Sequence, residues 1–290
     1  MNKYGGIILI FLLAFTFSIP GSGTAVASPS SALGGFLTEQ GPPPPGANDP
    51  NCRPDEAHPV PVVLVPGTFE TMAQNWAVLS PLLAEKGYCV YSLNYGYSHA
   101  GPATGPIEDS AEELKIFIDN VLQLTGAQKV SIVGHSQGGM MPRYYIKFLG
   151  GSKKVDNLIG LAPSNHGTTG LVGLSELTST GSDLTSCAAC LQQLAGSEFL
   201  KKLNEGNETP GRVSYTVVAT RNDQVVVPYT SSFLSGTPNQ VANITLQDYY
   251  PLNNIEHQGI AYDPDAFTFV MDALAHEGPA DPERAVGLIK

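Results

Sequence analysis

The chain has 290 residues and a formal net charge of −11 at pH 7, with 15 Lys and Arg residues against 26 Asp and Glu residues. A single domain of this length can bury a full-sized core, so a second large domain is not required. The scarcity of basic residues excludes nucleic acid as the main partner, because its phosphates require a basic protein face.

The amino terminus has the pattern of a signal peptide, which we assign to residues 1–27. Lys3 supplies the positive start, and Ile7 to Phe17 form an apolar run that is too short to span a bilayer. Ala25 to Ala27 offer a small-residue cleavage site. An uncleaved anchor would need about 20 apolar residues, and Pro20 ends the run earlier. We therefore predict a secreted protein with no stable membrane anchor.

The four cysteines, Cys52, Cys89, Cys187 and Cys190, all follow the predicted cleavage site. An even number of cysteines in an exported chain favours disulfides. Cys187 and Cys190 are close in sequence, so we expect them to pair and to leave Cys52 with Cys89. A zinc site at Cys187 and Cys190 is the alternative, but no second Cys-x-x-Cys or His-rich partner completes four ligands. We expect no metal.

Residues 28–59 contain a run of four prolines and are predicted to be an extended lead-in rather than a packed element. The folded domain is predicted to span residues 60–290. Its first half shows alternating strand and helix patterns. These elements are a strand at His58 to Val65, a helix at Asn75 to Lys86, a strand at Tyr88 to Leu93, a helix at Ile107 to Leu124 and a strand at Val130 to Val133.

The second half continues this alternation, with one interruption at residues 167–211. We interpret that stretch as a cap or lid insertion that holds a short helix near residues 198–203. The elements around it are a helix at Gly138 to Leu149, strands at Val155 to Leu161, Val213 to Ala219 and Val241 to Leu246, and a helix at Pro264 to Leu274. Such alternation predicts an α/β fold in which helices flank a mostly parallel sheet.

The pentapeptide Gly134-His-Ser-Gln-Gly138 fits the pattern Gly-x-Ser-x-Gly between an apolar strand and a helix. This is the nucleophile elbow of the α/β-hydrolase fold, in which glycines on either side leave room for a sharp turn. Ser136 is therefore the candidate nucleophile. A glycine-rich turn with no catalytic role is the simpler alternative.

A serine hydroxyl needs a histidine to accept its proton and an acid to orient the imidazole, and in this fold they follow the serine in the order acid, then histidine. His257 lies on the loop after the last predicted strand, and we favour it over His166. Asp223 follows the preceding strand, and we favour it over Asp248. A solvated turn aspartate is the alternative for both acids.

The turn Pro66-Gly67-Thr68 follows the first central strand. The fold places its second oxyanion donor on the loop after an early strand, so Thr68 is a candidate through its backbone N–H and its hydroxyl. An ordinary Pro-Gly turn is the alternative.

Four motifs in this order look like a secreted bacterial lipase of the class 2 type, over roughly residues 60–272. They are Val65-Pro-Gly-Thr-Phe69, Gly134-His-Ser-Gln-Gly-Gly139, Arg221-Asn-Asp-Gln-Val-Val-Val-Pro228 and Ile255-Glu-His-Gln-Gly-Ile-Ala261. The first two are also similar to the fungal lipase B group. The chain departs from many lipases in having Pro66 where they have histidine, which leaves substrate range less defined than fold.

The resemblance implies Ser136 as nucleophile, Asp223 and His257 as its partners, and Thr68 with Gln137 as oxyanion donors. It implies a carboxylic ester hydrolase, foremost a triacylglycerol lipase, that needs no cofactor and meets a lipid or other ester at an oil–water interface or in solution. We expect a monomer. The alternatives are a short-chain carboxylesterase, a polyester hydrolase, an acyltransferase with the same residues, and a non-catalytic exported binding protein.

Overall fold

The computed structural model describes residues 35–37, 39–169 and 186–287. The predicted signal peptide and residues 170–185 of the predicted insertion lie outside the described residues. The described part contains six β-strands. They are β1 (Val62–Val65), β2 (Val90–Ser92), β3 (Val130–His135), β4 (Val155–Leu161), β5 (Ser214–Ala219) and β6 (Val241–Thr245). All neighbours pair in parallel in the order β2-β1-β3-β4-β5-β6, which confirms the predicted sheet.

Most α-helices of the described part lie between these strands in the chain, and the last three follow β6. They are α1 (Met72–Asn75), α2 (Leu79–Glu85), α3 (Ile107–Thr125), α4 (Gln137–Phe148), α5 (Ala188–Gln192), α6 (Glu198–Asn204), α7 (Leu246–Tyr249), α8 (Pro264–Ala275) and α9 (Pro282–Gly287). Every helix among the described residues is too short or too polar to span a bilayer.

The core lies on both faces of the sheet. In β1, Val63 and Val65 belong to one buried cluster, whereas Val62 and Leu64 belong to the other. The first cluster includes side chains of α3 and α4, and the second includes side chains of α2 and α8. Because successive side chains of a strand point to opposite faces, a strand in a sheet covered by helices on both sides is a nearly continuous apolar run.

The predicted helix at Asn75 to Lys86 is wrong in its extent, because two helices occupy this region. Thr71 and Gln74 form a capping box that starts α1 before the predicted boundary. The helix α2 begins at Leu79, which places Pro81 in its first turn. A continuous helix would have put Pro81 in the interior, where it removes a backbone hydrogen bond and clashes with the preceding turn.

The lead-in differs from the expected unpacked segment. Ala47 forms a parallel bridge with Val90. The amide of the buried Asn48 accepts a hydrogen bond from Ser92 N at 2.8 Å and donates one to Ser92 O at 2.9 Å. A side-chain amide can satisfy one backbone donor and one backbone acceptor in this way. Part of the lead-in therefore packs against the outer edge of β2.

The helix α4 follows β3 and is buried on nearly all sides from Gln137 to Ile146. Phe148, the last residue of the helix, is 40% exposed. A helix that packs between the sheet and neighbouring helices has no solvent face over most of its length.

Both disulfides that we favoured from the sequence are present. Cys52 is bonded to Cys89, and Cys187 is bonded to Cys190. The alternative of a zinc site at Cys187 and Cys190 is therefore wrong, because a metal would need their free thiolates. Cys187 is the N-cap of α5, which is in the described part of the insertion.

Candidate active site

Ser136 lies on a sharp turn between β3 and α4. Its backbone has φ 54° and ψ −123°, which is uncommon for a residue other than glycine. The flanking glycines make the turn possible: a Cβ on Gly134 would lie 1.9 Å from Gly138 O, and one on Gly138 would lie 2.1 Å from Val65 O. Both distances exclude a side chain, so the motif has the geometry of a nucleophile elbow.

The side chains of Ser136, His257 and Asp223 form a continuous chain of hydrogen bonds. Nε2 of His257 lies 3.0 Å from Oγ of Ser136, and Nδ1 lies 2.8 Å from Oδ2 of Asp223. The Asp223 carboxylate can only accept a hydrogen bond, so Nδ1 of His257 carries the proton. Nε2 therefore has a lone pair that can accept the proton of Ser136. All three residues are buried.

The Asp223 carboxylate is fixed on both oxygens. While Oδ2 faces His257, Oδ1 accepts hydrogen bonds from Val225 N at 2.9 Å and Val226 N at 2.8 Å. The side chain of Asp223 has no exposed area. A buried carboxylate held in this way keeps one orientation, which an imidazole partner needs.

The two rivals considered from the sequence make other contacts. Asp248 pairs with Arg221 on the surface, where both side chains are about half exposed. Nε2 of His166 lies 3.0 Å from Oε1 of Glu208, and its Nδ1 lies 3.1 Å from the backbone oxygen of Ser231. The structure therefore brings together the residues that we favoured.

The predicted oxyanion donors lie beside Ser136. Gln137 is the first residue of α4, so its backbone N–H has no partner within the helix. Thr68 follows β1, and its hydroxyl donates to Oε1 of Gln137 at 2.8 Å. The loops after β1 and β3 are thus joined at the position where the fold places an oxyanion hole.

Sequence reasoning missed Gln193, which follows α5 in the predicted insertion. Its Nε2 donates to Thr68 Oγ1 at 3.0 Å and to Gln137 Oε1 at 2.9 Å. Its Oε1 accepts from Ser164 Oγ at 2.7 Å, so both ends of the amide are held. The insertion therefore contributes directly to the polar network beside the nucleophile. No motif in the sequence marks this glutamine.

Glu70 and His135 were also missed as members of the site. Nδ1 of His135 lies 2.8 Å from Oε2 of Glu70, and Nε2 lies 2.9 Å from the backbone oxygen of His257. The Nδ2 atom of Asn75 lies 3.3 Å from the same Nδ1, while its Oδ1 accepts from Gly67 N at 2.8 Å. The sequence signal for His135 is its position inside the elbow motif, directly before Ser136.

The pKa of His135 is raised above its ordinary value. Burial, the largest single influence, lowers it. The hydrogen bond and charge of Glu70, the carbonyl of His257 and the charge of Asp223 together outweigh burial. His135 is therefore a buried imidazole that its surroundings favour in the protonated form.

Among residues 35–37, 39–169 and 186–287, no group of three or more His, Cys, Asp or Glu side chains is arranged to hold a metal ion. The described site offers the hydroxyl of Ser136, an imidazole within hydrogen-bond range of it, and the backbone N–H of Gln137 at the start of α4.

Two triacylglycerol lipases match part of the chain. The protein from Pseudarthrobacter phenanthrenivorans is 35% identical over 91 residues, which are 29% of this chain and 27% of the relative. The protein from Burkholderia plantarii is 35% identical over 91 residues, which are 29% of this chain and 24% of the relative. The match thus spans about a quarter of each relative's length.

Solved lipase structures share the fold. Aspergillus fumigatus lipase B superposes with a TM-score of 0.68 and 24% identity, over 81% of this chain and 57% of that one. The mature form of Bacillus licheniformis lipase BlEst2 superposes with a TM-score of 0.60 and 17% identity, over 78% of this chain and 96% of that one. The family model described as Lipase (class 2) matches residues 59–262, so the chain is an α/β-hydrolase-fold member of the class 2 lipase family.

Proposed function

We propose that this protein is a secreted serine hydrolase that cleaves carboxylic esters, foremost as a triacylglycerol lipase. The observation that carries the proposal is the hydrogen-bonded chain from Asp223 through His257 to Ser136, with distances of 2.8 and 3.0 Å. A serine becomes a useful nucleophile when an adjacent, oriented base accepts its proton.

In the proposed mechanism, Ser136 Oγ attacks the ester carbonyl carbon while its proton moves to Nε2 of His257. The tetrahedral intermediate collapses as the bond to the alcohol oxygen breaks, and His257 returns the proton to that oxygen. The acyl group is then attached to Ser136. A water molecule then attacks the acyl carbon as its proton moves to Nε2 of His257. The bond between the acyl carbon and Ser136 Oγ breaks, His257 returns the proton to Oγ, and the carboxylic acid is released.

In this proposal, the backbone N–H groups of Gln137 and Thr68 stabilise the negative charge that develops on the carbonyl oxygen. The position of Gln137 at the start of α4 supports this role, because N–H groups at a helix start are directed toward negative charge. Preformed donors of this kind each contribute about 10²- to 10³-fold to the rate.

A triglyceride substrate is supported by the family and by the triacylglycerol lipases that share part of the sequence. Export is supported by the signal-peptide pattern and by the two disulfides, since disulfides persist in oxidising compartments. We propose a monomer that meets its substrate at an oil–water interface.

The proposal is tested by labelling with a fluorophosphonate, which reacts only with an activated serine. We expect one adduct, mapped to Ser136 by mass spectrometry, and none on the Ser136→Ala variant. The same pair is then compared on a soluble nitrophenyl ester and on emulsified triglycerides of increasing chain length. Labelling of another serine, or ester hydrolysis that persists in Ser136→Ala, would refute the mechanism. Faster turnover of soluble short-chain esters than of emulsified triglycerides would indicate that the protein is a carboxylesterase instead.

A further inference from the structure

A second imidazole–carboxylate pair contacts the backbone of His257, the proposed base. Glu70 is in the loop after β1, His135 is the last residue of β3, and the loop after α7 carries His257. His135 contacts Glu70 at 2.8 Å and the carbonyl of His257 at 2.9 Å. Glu70 also accepts a hydrogen bond from the side chain of Gln258. One pair therefore links the three loops that carry Thr68, Ser136 and His257.

The hydrogen-bond partners determine the direction of these contacts. The carbonyl oxygen of His257 can only accept, so Nε2 of His135 carries a proton and donates it. The short contact between Nδ1 and Oε2 of Glu70 also requires a proton between them. The raised pKa of His135 agrees with a proton on both ring nitrogens. The negative charge of Glu70 then balances a buried positive charge, which would otherwise be costly.

The backbone of His257 has few other restraints among the described contacts. Its N–H donates to Gln224 at 3.4 Å, which is a long hydrogen bond, and Asp223 contacts only its ring. The bond from His135 to the carbonyl is shorter and buried. It holds the backbone of His257, whereas Asp223 holds the ring.

We propose that Glu70 and His135 are positioning residues that hold the backbone of His257, so that its ring meets Ser136 in the geometry required for proton transfer. This inference rests on the proposed function, because it assumes that His257 is the base. Among the described contacts, neither residue forms a hydrogen bond with Oγ of Ser136 or with the ring of His257, although the two imidazole rings lie 5.1 Å apart. Both residues therefore act through His257. A misplacement of about 1 Å in such a group can cost about 10²-fold in rate.

Two substitutions of His135 separate this role from a merely structural one. A glutamine amide nitrogen reaches about the position of Nε2, so His135→Gln can still donate to the carbonyl of His257. An asparagine amide nitrogen reaches about the position of Nδ1, so His135→Asn can contact Glu70 but not that carbonyl. Both variants remove the charge and the ring. His166→Gln and His166→Asn are the matched controls, because His166 forms a comparable pair with Glu208 outside the proposed triad.

Steady-state kinetics on a soluble ester, normalised to the folded fraction by circular dichroism, give the readout. We expect kcat of His135→Asn to fall about 10²-fold and that of His135→Gln to fall less than about 10-fold, with KM unchanged in both. The two His166 controls should not differ from each other. Should His135→Asn fail to fold, Glu70→Gln replaces it, and its kcat should fall with KM unchanged.

Equal kcat values for the two His135 variants, or a loss confined to KM, would overturn the inference. Fluorophosphonate labelling of the wild type distinguishes failure of the positioning role from failure of the proposed function. If the wild type reacts at Ser136 and the His135 variants match each other, only the positioning role is lost. If the wild type does not react at Ser136, the proposed function fails and the positioning role fails with it.

Discussion

Oδ2 of Asp223 lies 2.8 Å from Nδ1 of His257, and no part of the Asp223 side chain is exposed. The carboxylate holds the tautomer in which Nε2 can accept a proton, and an amide at this position favours the wrong tautomer. We expect Asp223→Asn to lower kcat about 10⁴-fold. The matched control is Asp248→Asn, which removes a surface partner of Arg221 and should change kcat less than about 2-fold. The reverse ranking would give the role of the acid to Asp248.

Gln193 provides a test of the network beside the nucleophile. Gln193→Leu removes the donor to Thr68 and Gln137, so the two loops lose a common restraint. We expect kcat to fall about tenfold, less than for loss of a direct oxyanion donor. Gln192→Leu is the control, because its side chain contacts Ile107 N and Glu108 instead. Steady-state kinetics on one soluble ester compare the two variants, and equal kcat values would contradict the prediction.

The carboxyl-terminal helix is attached through a buried carboxylate. Asp272 accepts two hydrogen bonds of 2.6 Å from Arg284, and its side chain has no exposed area. Asp272→Asn leaves the guanidinium without its counter-charge, and we expect the free energy of unfolding to fall by about 2 kcal/mol.

Urea unfolding with the disulfides intact measures this change. Lys201→Met, which breaks the exposed pair with Glu198, is the control and should cost less than about 1 kcal/mol. An Asp272 variant as stable as the wild type would show that α9 is held by its apolar contacts alone.

The lowered pKa of Glu208 predicts that the free energy of unfolding depends on pH. Burial raises its pKa, but the N–H of Ser235 and the contacts with His166 and Arg143 outweigh burial and lower the pKa below its ordinary value. A carboxyl group with a lowered pKa in the folded state stabilises the protein above its unfolded pKa of about 4.3 and loses this contribution as pH falls through the folded pKa.

Glu208→Gln should therefore be less stable than the wild type by about 1 kcal/mol at pH 6, and the difference should shrink toward pH 3. Urea unfolding at several pH values measures it. A difference that stays constant between pH 6 and pH 3 would show that the charge of Glu208 does not contribute.

Much of the sheet was predictable, because parallel strands buried on both faces are continuous apolar runs. The bounds of β4 at Val155 and Leu161 agree with the sequence prediction. The placement of Ser136, Asp223 and His257 was predictable from their order and from the loops that carry them, since the carboxyl ends of parallel strands meet at one edge of a sheet. The division of the predicted helix at residues 76–78 had a signal in the sequence, the nearby Pro81, that we did not use.

The other site contacts depend on tertiary structure that local patterns do not encode. Gln193 belongs to a segment where the alternation of strands and helices lapses, so nothing in the sequence placed it beside Thr68. Glu70 and His135 are 65 residues apart, and their contact requires the loop after β1 to lie against the end of β3. A motif can identify the nucleophile, but the groups that support it lie on other loops at the carboxyl edge of the sheet, and local sequence patterns do not identify them.

The pairing of Asn48 with Ser92 has a consequence for handling the protein. β2 is at the border of the sheet, and an uncovered border strand invites association with other molecules through its free backbone groups. Ala47 and Asn48 occupy this border in the folded chain. Recombinant versions trimmed to residue 60 would lose that cover and should aggregate, whereas a start upstream of Ala47 preserves it.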